Sequence, residues 1–198
     1  MKKLLERAEA LYKEKKFAEA AQLYREAAEA GIPEAQHRLA YMYYNGLGVE
    51  KDAEEHVRLN TLAAEQGYDL AEFALASAYQ LGSDVEGSRE KAVYWYKRAA
   101  EHGNVKATLY IGYYYETGYG VETSLPEAMK WWKRAVDISG GACCEAAYKL
   151  GHYYYNGVDG KRDLSTSRYY LKLANKHGYE CREFLARVEK EICKVDRR

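Results

Sequence analysis

Apolar side chains along this chain return at spacings of three and four, the period of an amphipathic helix. The stretch from Lys91 to Val121 shows it most clearly. Ala92, Trp95, Tyr96 and Ala99 share one face of a helix closed at Gly103, and Ala107, Ile111 and Tyr115 share one face of a second helix that stops at Gly118. Small residues (Ala92, Ala99, Ala107, Gly112) stand beside large rings, so two helix backbones can approach closely while the rings fill the remaining space. The stretch predicts helix, turn, helix, loop, and such a unit is half of a pair that cannot bury its faces alone.

The same pattern recurs along the chain. Gly31, Gly67 and Gly103 return every 36 residues, each after an alanine pair: Ala27 and Ala28, Ala63 and Ala64, Ala99 and Ala100. The first helices align as Ala35, Leu39, Ala40, Tyr43, Gly46; Ala71, Leu75, Ala76, Tyr79, Gly82; Ala107, Ile111, Gly112, Tyr115, Gly118; and Ala146, Leu150, Gly151, Tyr154, Gly157. The last interval is longer by three residues, which places a lengthened turn around Ser139 to Glu145. Gly46, Gly82, Gly118 and Gly157 fall where a left-handed residue ends a helix at least strain. Ala40, Ala76, Gly112 and Gly151 let the paired helix come close, and Tyr43, Tyr79, Tyr115 and Tyr154 plug the open end of each pair.

The opening segment has a tight link at Lys15 and Lys16, with Phe17, Ala20, Tyr24 and Ala27 marking its second helix. At the other end Cys181, Phe184, Leu185, Val188 and Ile192 form one apolar stripe opposite charged residues, which reads as a terminal cap followed by a frayed KVDRR.

Two prolines in 198 residues, with Ala, Leu, Glu, Lys and Tyr plentiful, point to an all-helical protein with short connections. Thirty basic and thirty acidic residues cancel, which argues against nucleic acid as a partner. No apolar run is long enough to insert in a membrane, and the N-terminal MKKLLERAEALYKEKK is an amphipathic helix pattern without a signal core. The expected location is the cytoplasm, with a processed secreted or effector form as the alternative. Tyrosine is the oddity, at 21 residues against three phenylalanines. A tyrosine packs as an aromatic yet keeps a hydroxyl for water or a partner, so many of these rings are expected at half-exposed positions.

The pattern A-x3-L-[GA]-x2-Y-x2-G-x-G-V, followed by K-A-x2-W-Y-x2-A-A-x2-G, resembles the Sel-one-like repeat family, a relative of the tetratricopeptide repeat. Gly118, Gly120, Val121, Ala128, Trp131, Trp132 and Ala135 carry the match in one unit, and Lys91, Ala92, Trp95, Tyr96, Ala99, Ala100 and Gly103 in the one before it. The resemblance implies a right-handed α-solenoid of stacked antiparallel helix pairs. One repeat domain would span 1–198, divided as a tetratricopeptide-like unit 1–33, Sel-one-like repeats 34–69, 70–105, 106–144 and 145–180, and a capping helix 181–198. Four residues depart from the pattern. His56 and Asn60 stand where a small residue and an aromatic are expected, and Asp84 and Asp159 replace the second loop glycine.

The resemblance also implies a groove lined by the first helices. The positions facing it would be His37, Arg38, Tyr41, Tyr44 and Asn45; Phe73, Ala74, Ser77, Gln80 and Leu81; Leu109, Tyr110, Tyr113, Glu116 and Thr117; and Tyr148, Lys149, His152, Tyr155 and Asn156. Such a surface suits a peptide or a partner helix. Rings give contact area at low entropic cost, Asn45 and Asn156 could bond a peptide backbone, and Arg38 or Lys149 could meet a carboxylate. The candidate partner-binding set is therefore Arg38, Tyr41, Tyr44, Asn45, Phe73, Gln80, Tyr110, Tyr113, Glu116, Tyr148, Lys149, His152, Tyr155 and Asn156, with Tyr41, Tyr44, Tyr113 and Tyr155 the rings expected to be open. Trp95, Trp131 and Trp132, on second helices, are expected in the core.

Catalytic motifs are absent from the sequence: no nucleophile elbow, no phosphate-binding loop and no paired carboxylates are found. The five histidines share no ligand spacing, so neither a metal nor a cofactor is expected; His102 and His177 instead sit where a partly positive ring suits a helix C-terminus. Cys143 and Cys144 are adjacent and Cys181 and Cys193 too far apart along one helix to pair, so reduced thiols are expected, with a bond from Cys143 or Cys144 to Cys181 left open. The expected role is a non-catalytic scaffold or adaptor that binds a protein or peptide. Two alternatives are a small-molecule-binding or hydrolytic repeat protein, with its reactive group among His152, Lys149 and Glu116, and a structural protein that self-associates into a homodimer through its convex face or its cap helix, the latter if the cap stripe is exposed.

Overall fold

The computed structural model describes residues 1–157 and 161–195. Asp159 and the last three residues of the terminal segment lie outside the described residues. The described chain holds eleven helices and no strand: α1 (Lys2–Lys13), α2 (Phe17–Glu29), α3 (Pro33–Asn45), α4 (Ala53–Glu65), α5 (Asp69–Leu81), α6 (Arg89–Glu101), α7 (Val105–Thr117), α8 (Leu125–Ile138), α9 (Cys144–Asn156), α10 (Leu164–Lys176) and α11 (Arg182–Val195). Consecutive helices pack as antiparallel pairs, the all-α solenoid class expected from the repeat. Two compact units result. The first, Met1–Asn104, stacks three pairs, and the second, Val105–Arg198, stacks two pairs and α11.

The four pairs from α3 to α10 share their local devices, whereas α1 and α2 are joined by a tight turn through Lys15 (φ 61) without a side-chain cap. Gly46 (φ 69, ψ 38) and Gly82 (φ 65, ψ 30) end α3 and α5 in the left-handed conformation, which a side chain at Cβ would strain. Gly157 also has positive φ, at 89, but its ψ of 133 is extended, so α9 ends without the left-handed cap that was expected. The loop then re-enters a helix through Asp52, Ser88, Ser124 or Asp163. These side chains accept a hydrogen bond from the backbone N–H of Glu55, Lys91, Glu127 or Thr166, at 3.0, 3.2, 3.4 and 2.9 Å. Their own backbone N–H groups donate to the carbonyls of Tyr43, Tyr79, Tyr115 and Tyr154, at 3.3, 3.0, 2.8 and 2.9 Å. A side-chain cap of this type is worth about 1 kcal/mol, and the second bond pins the start of each second helix to the end of the first.

Close approach follows from the small residues. A Cβ on Gly112 would lie 2.2 Å from the Trp132 indole, and one on Gly151 would lie 2.7 Å from Leu171. Trp132 is therefore seated in the slot that Gly112 leaves and is fully buried; Trp95 and Trp131 are half-buried. The cap stripe is also used inside the chain. Val188 and Cys181 are buried and Phe184, Leu185 and Ile192 pack on the core of the second unit, so the exposed stripe that a cap-mediated homodimer required is not there. The four cysteines are free.

One buried charge was not foreseen. Glu72 of α5 is fully buried, with Arg98 Nε 3.1 Å from one carboxylate oxygen and His102 Nδ1 2.7 Å from the other. His102 does sit at the C-cap of α6, as expected, but its ring is aimed at this carboxylate and lies over Gly67, where a Cβ would come within 3.2 Å of it. The α3/α4 pair has a neutral version of the same clasp, Gln66 donating to Gln36 at 2.9 Å. No helix among the described residues is long and apolar enough to cross a membrane.

Candidate functional site

In the first unit residues of α3 and α5 line one groove of about 390 Å³. Its walls are Tyr41 and Tyr44 of α3 and Leu70, Phe73, Ala74, Ser77, Ala78 and Leu81 of α5. Four of these are large apolar side chains left in water: Tyr41 is 46% exposed, Tyr44 47%, Leu70 45% and Leu81 73%. Phe73 is held edge-on against Tyr96, and Gln80, by accepting the Tyr96 hydroxyl at 2.9 Å, braces the same ring from below. Arg38 leans toward Glu9 of α1 at 3.7 Å, and Asn45 donates to the carbonyl of Tyr41 in its own helix.

The floor of the groove is polar and comes from the residues that depart from the repeat. His37 donates Nδ1–H to Asn60 Oδ1 at 2.9 Å, because the Asn60 amide nitrogen itself donates to the His56 carbonyl at 3.1 Å. Burial holds the His37 ring below the usual histidine range, against the opposing effect of the Asn60 bond. His56 Nδ1 lies 3.1 Å from the carbonyl oxygen of Ala40, which can only accept, so that nitrogen carries the hydrogen. His56 Nε2 then faces Asp84 Oδ2 at 3.6 Å. Asp84 reaches the floor from the loop after α5. In the preceding loop the matching residue is Gly48, at φ 70, whose added Cβ would strike the Phe17 backbone at 2.3 Å; Asp84 has negative φ, so the two loops differ in shape.

In the second unit the candidate residues of α7 and α9 are spent on one another and on α11. Glu116 accepts both a Tyr153 hydroxyl and Lys149 Nζ, the latter at 2.9 Å to each oxygen. Lys149 also lies over the rings of Tyr113 and Trp132, at 5.0 and 5.6 Å. Tyr113 donates to Glu145 at 2.7 Å, and Tyr153 stacks on Trp132. Burial, then these carboxylate bonds, push the hydroxyls of Tyr113 and Tyr153 well above the ordinary tyrosine range. Tyr148 stacks on Tyr179 at 4.3 Å, and Phe184 of α11 lies edge-on to Tyr148, His152 and Tyr155. Tyr155 is tied further, donating to Glu191 while Arg162 stacks on its ring at 4.3 Å and pairs with the same carboxylate. Asn156 bonds His152, and Tyr110 packs beside Tyr114 with Lys106 over its ring.

The structure thus brings Tyr41 and Tyr44 together as open rings, beside a half-buried Phe73. It corrects the reading of Tyr113 and Tyr155 as open rings: both are half-buried and bonded within the chain, since α11 and the loop residues Glu145 and Arg162 supply their partners. Lys149 and Glu116, named for the hydrolytic alternative, form an ion pair at 2.9 Å. His56, Asp84 and Leu70 belong to the groove without having been assigned to it, and the signal for the first two was their departure from the repeat.

The Sel1 repeat family matches residues 6–32, 33–68, 69–104, 105–137 and 144–179. No curated protein matches the chain. Among solved structures, a Sel1 repeat protein from Oxalobacter formigenes is 32% identical with a TM-score of 0.80, covering 92% of this chain and 72% of its own. The protective antigen c5321 of uropathogenic Escherichia coli, described as displaying an SLR fold, is 34% identical with a TM-score of 0.75 over 81% of this chain, which spans 34% of that protein's length. Cysteine rich protein B of Helicobacter pylori, at 20% identity and a TM-score of 0.50, covers 62% of this chain and 88% of its own and shares the fold. Five matched repeats, with end-pinned loops in four of the helix pairs, place this chain in the Sel1 repeat family.

Proposed function

We propose that this protein is a non-catalytic interaction module that holds a segment of a partner protein in the α3/α5 groove of its first unit. Sel1 repeat proteins are in general protein-interaction scaffolds. The observation that supports the specific reading is the groove itself, where Tyr41, Tyr44, Leu70 and Leu81 stand exposed together. Clustered aromatic and aliphatic side chains around a concavity are the usual anchors of protein recognition.

Benzoylphenylalanine placed at Tyr44 should crosslink one partner in the source cell on irradiation, whereas the same group at Tyr94 or Tyr169, exposed by 54% and 61% on second helices, should not. A partner captured from Tyr94 or Tyr169 and never from Tyr44 would put the working surface on the second helices.

A further inference from the structure

Resting on the reading of the groove as a partner site, we infer that it selects a protein segment in which a large apolar side chain stands next to a lysine or arginine. Three observations lead there. Asp84 is the one carboxylate among the groove's lining residues, and no lysine or arginine lines it. His37 adds no positive charge, since its Nδ1–H is given to Asn60 and burial favours the neutral ring. At the floor, the Asp84 carboxylate faces the His56 ring without a closed hydrogen bond. The Ala40 carbonyl takes the Nδ1 hydrogen of His56, and Nε2 lies 3.6 Å from Asp84 Oδ2, beyond hydrogen-bond length, so the carboxylate has room to accept a further donor.

A guest ammonium or guanidinium N–H placed there would be accepted by the carboxylate. The His56 and Asp84 side chains are only 10% and 13% exposed, so little water competes for the seat. A proton on Nε2 fills the same seat, so the guest cation and a charged His56 are competitors. The walls above, Tyr41, Tyr44, Phe73 and Leu81, take the neighbouring apolar side chain. At about 390 Å³ the groove is near the small end of ligand sites, about 300–1,000 Å³, and suits a pair of adjacent side chains rather than a whole helix face.

The test uses the full chain at pH 8, above the ordinary histidine range, and blocked tripeptides titrated against it by NMR: acetyl-Leu-Phe-Arg-amide, its Gln and Glu counterparts, and the three reversed orders. At least one Arg peptide should shift the Tyr44, His56 and Leu81 signals and bind about tenfold more tightly than its Gln and Glu counterparts, a difference in line with a charge-assisted bond. Asp84→Asn, which keeps the shape of the side chain and removes its charge, should bring the Arg peptide down to the Gln one, with folding checked by thermal melting, while Tyr44→Ala should weaken all of them. Equal binding of Arg, Gln and Glu peptides with shifts at the same residues would overturn the charge preference and leave the groove as a partner site. Shifts confined to residues outside the groove, or no binding by any peptide at millimolar concentration, would overturn both.

Discussion

The α3/α5 face of the first unit and the α7/α9 face of the second descend from the same repeat positions and end in opposite states. Tyr41 and Tyr44 stand in water beside exposed Leu81, whereas Tyr113 and Tyr155 at matching positions are bonded to Glu145 and Glu191. The difference begins on the second helices. The second unit has Ala128 and Trp132 where the α3/α4 pair has His56 and Asn60. The indole fills the gap under Tyr113 and offers a flat ring to Tyr153, which in turn brings Glu116 to Lys149. Histidine and asparagine fill less space and spend their polar groups on Ala40 and His37; Tyr44 tilts against the His56 ring at 5.0 Å and still keeps 47% of its surface in water. Repeat position alone does not make a binding face; what the second helix places beneath it does.

The largest effect should come from removing the indole. Trp132→Ala leaves a cavity between α7, α8 and α9, and a loss of about 3–5 kcal/mol is expected in urea unfolding, with amide protection falling across the second unit. A loss below about 1 kcal/mol would mean that the neighbouring rings close the gap by themselves. Glu116→Ala comes next. It strips Lys149 and Tyr153 of their shared acceptor, and since both charges are partly exposed the expected loss is about 1–2 kcal/mol. Lys149 should also become the residue whose acylation by an amine reagent rises most; unchanged labelling would show that the pair is not formed in solution.

In the first unit the same kind of change should move binding and leave folding nearly alone. Tyr41→Ala with Tyr44→Ala should alter stability by about 1 kcal/mol at most and lower partner affinity by at least about tenfold, read side by side by thermal melting and by titration with the crosslinked partner. Equal losses of stability in both faces would erase the distinction between them. The smallest effect is one of pH. The folded His37 holds its proton less tightly than an ordinary histidine, about 6.5, so below that pH the unfolded chain binds more protons. Its contribution to stability is complete above about pH 6.5 and declines as the pH falls toward the folded value. The difference between wild type and His37→Gln, followed by chemical unfolding from pH 7.5 to 5, should shrink on acidification, and a constant difference would remove burial of this ring as a factor.

The helix pairs were legible because their determinants are local and repeated. A glycine with positive φ, a small residue under a ring and a three- or four-residue apolar spacing each act within one turn or one pair, so Gly46, Gly112 and the stripe from Cys181 to Ile192 could be read without knowing what lay across from them. The capping side chains Asp52, Ser88, Ser124 and Asp163 were equally local and went unread beside the louder glycines. The groove was half legible. Its walls follow from repeat position, and its floor was announced by His56, Asn60 and Asp84 as mismatches to the pattern, without any sign that they meet.

Taken alone, the sequence determined the class of fold, the number of pairs, the closing helix and the set of side chains left over once each core is filled. Only the tertiary structure decided which of those leftovers stay open. That choice rests on contacts between residues more than 30 positions apart, Tyr113 with Glu145 and Tyr155 with Glu191, and on the distance between a histidine and an aspartate carried by different elements. Helical periodicity fixes which side of a helix a residue occupies, but hydrogen bonds and ion pairs form over a few ångströms, a scale that spacing along the chain does not set.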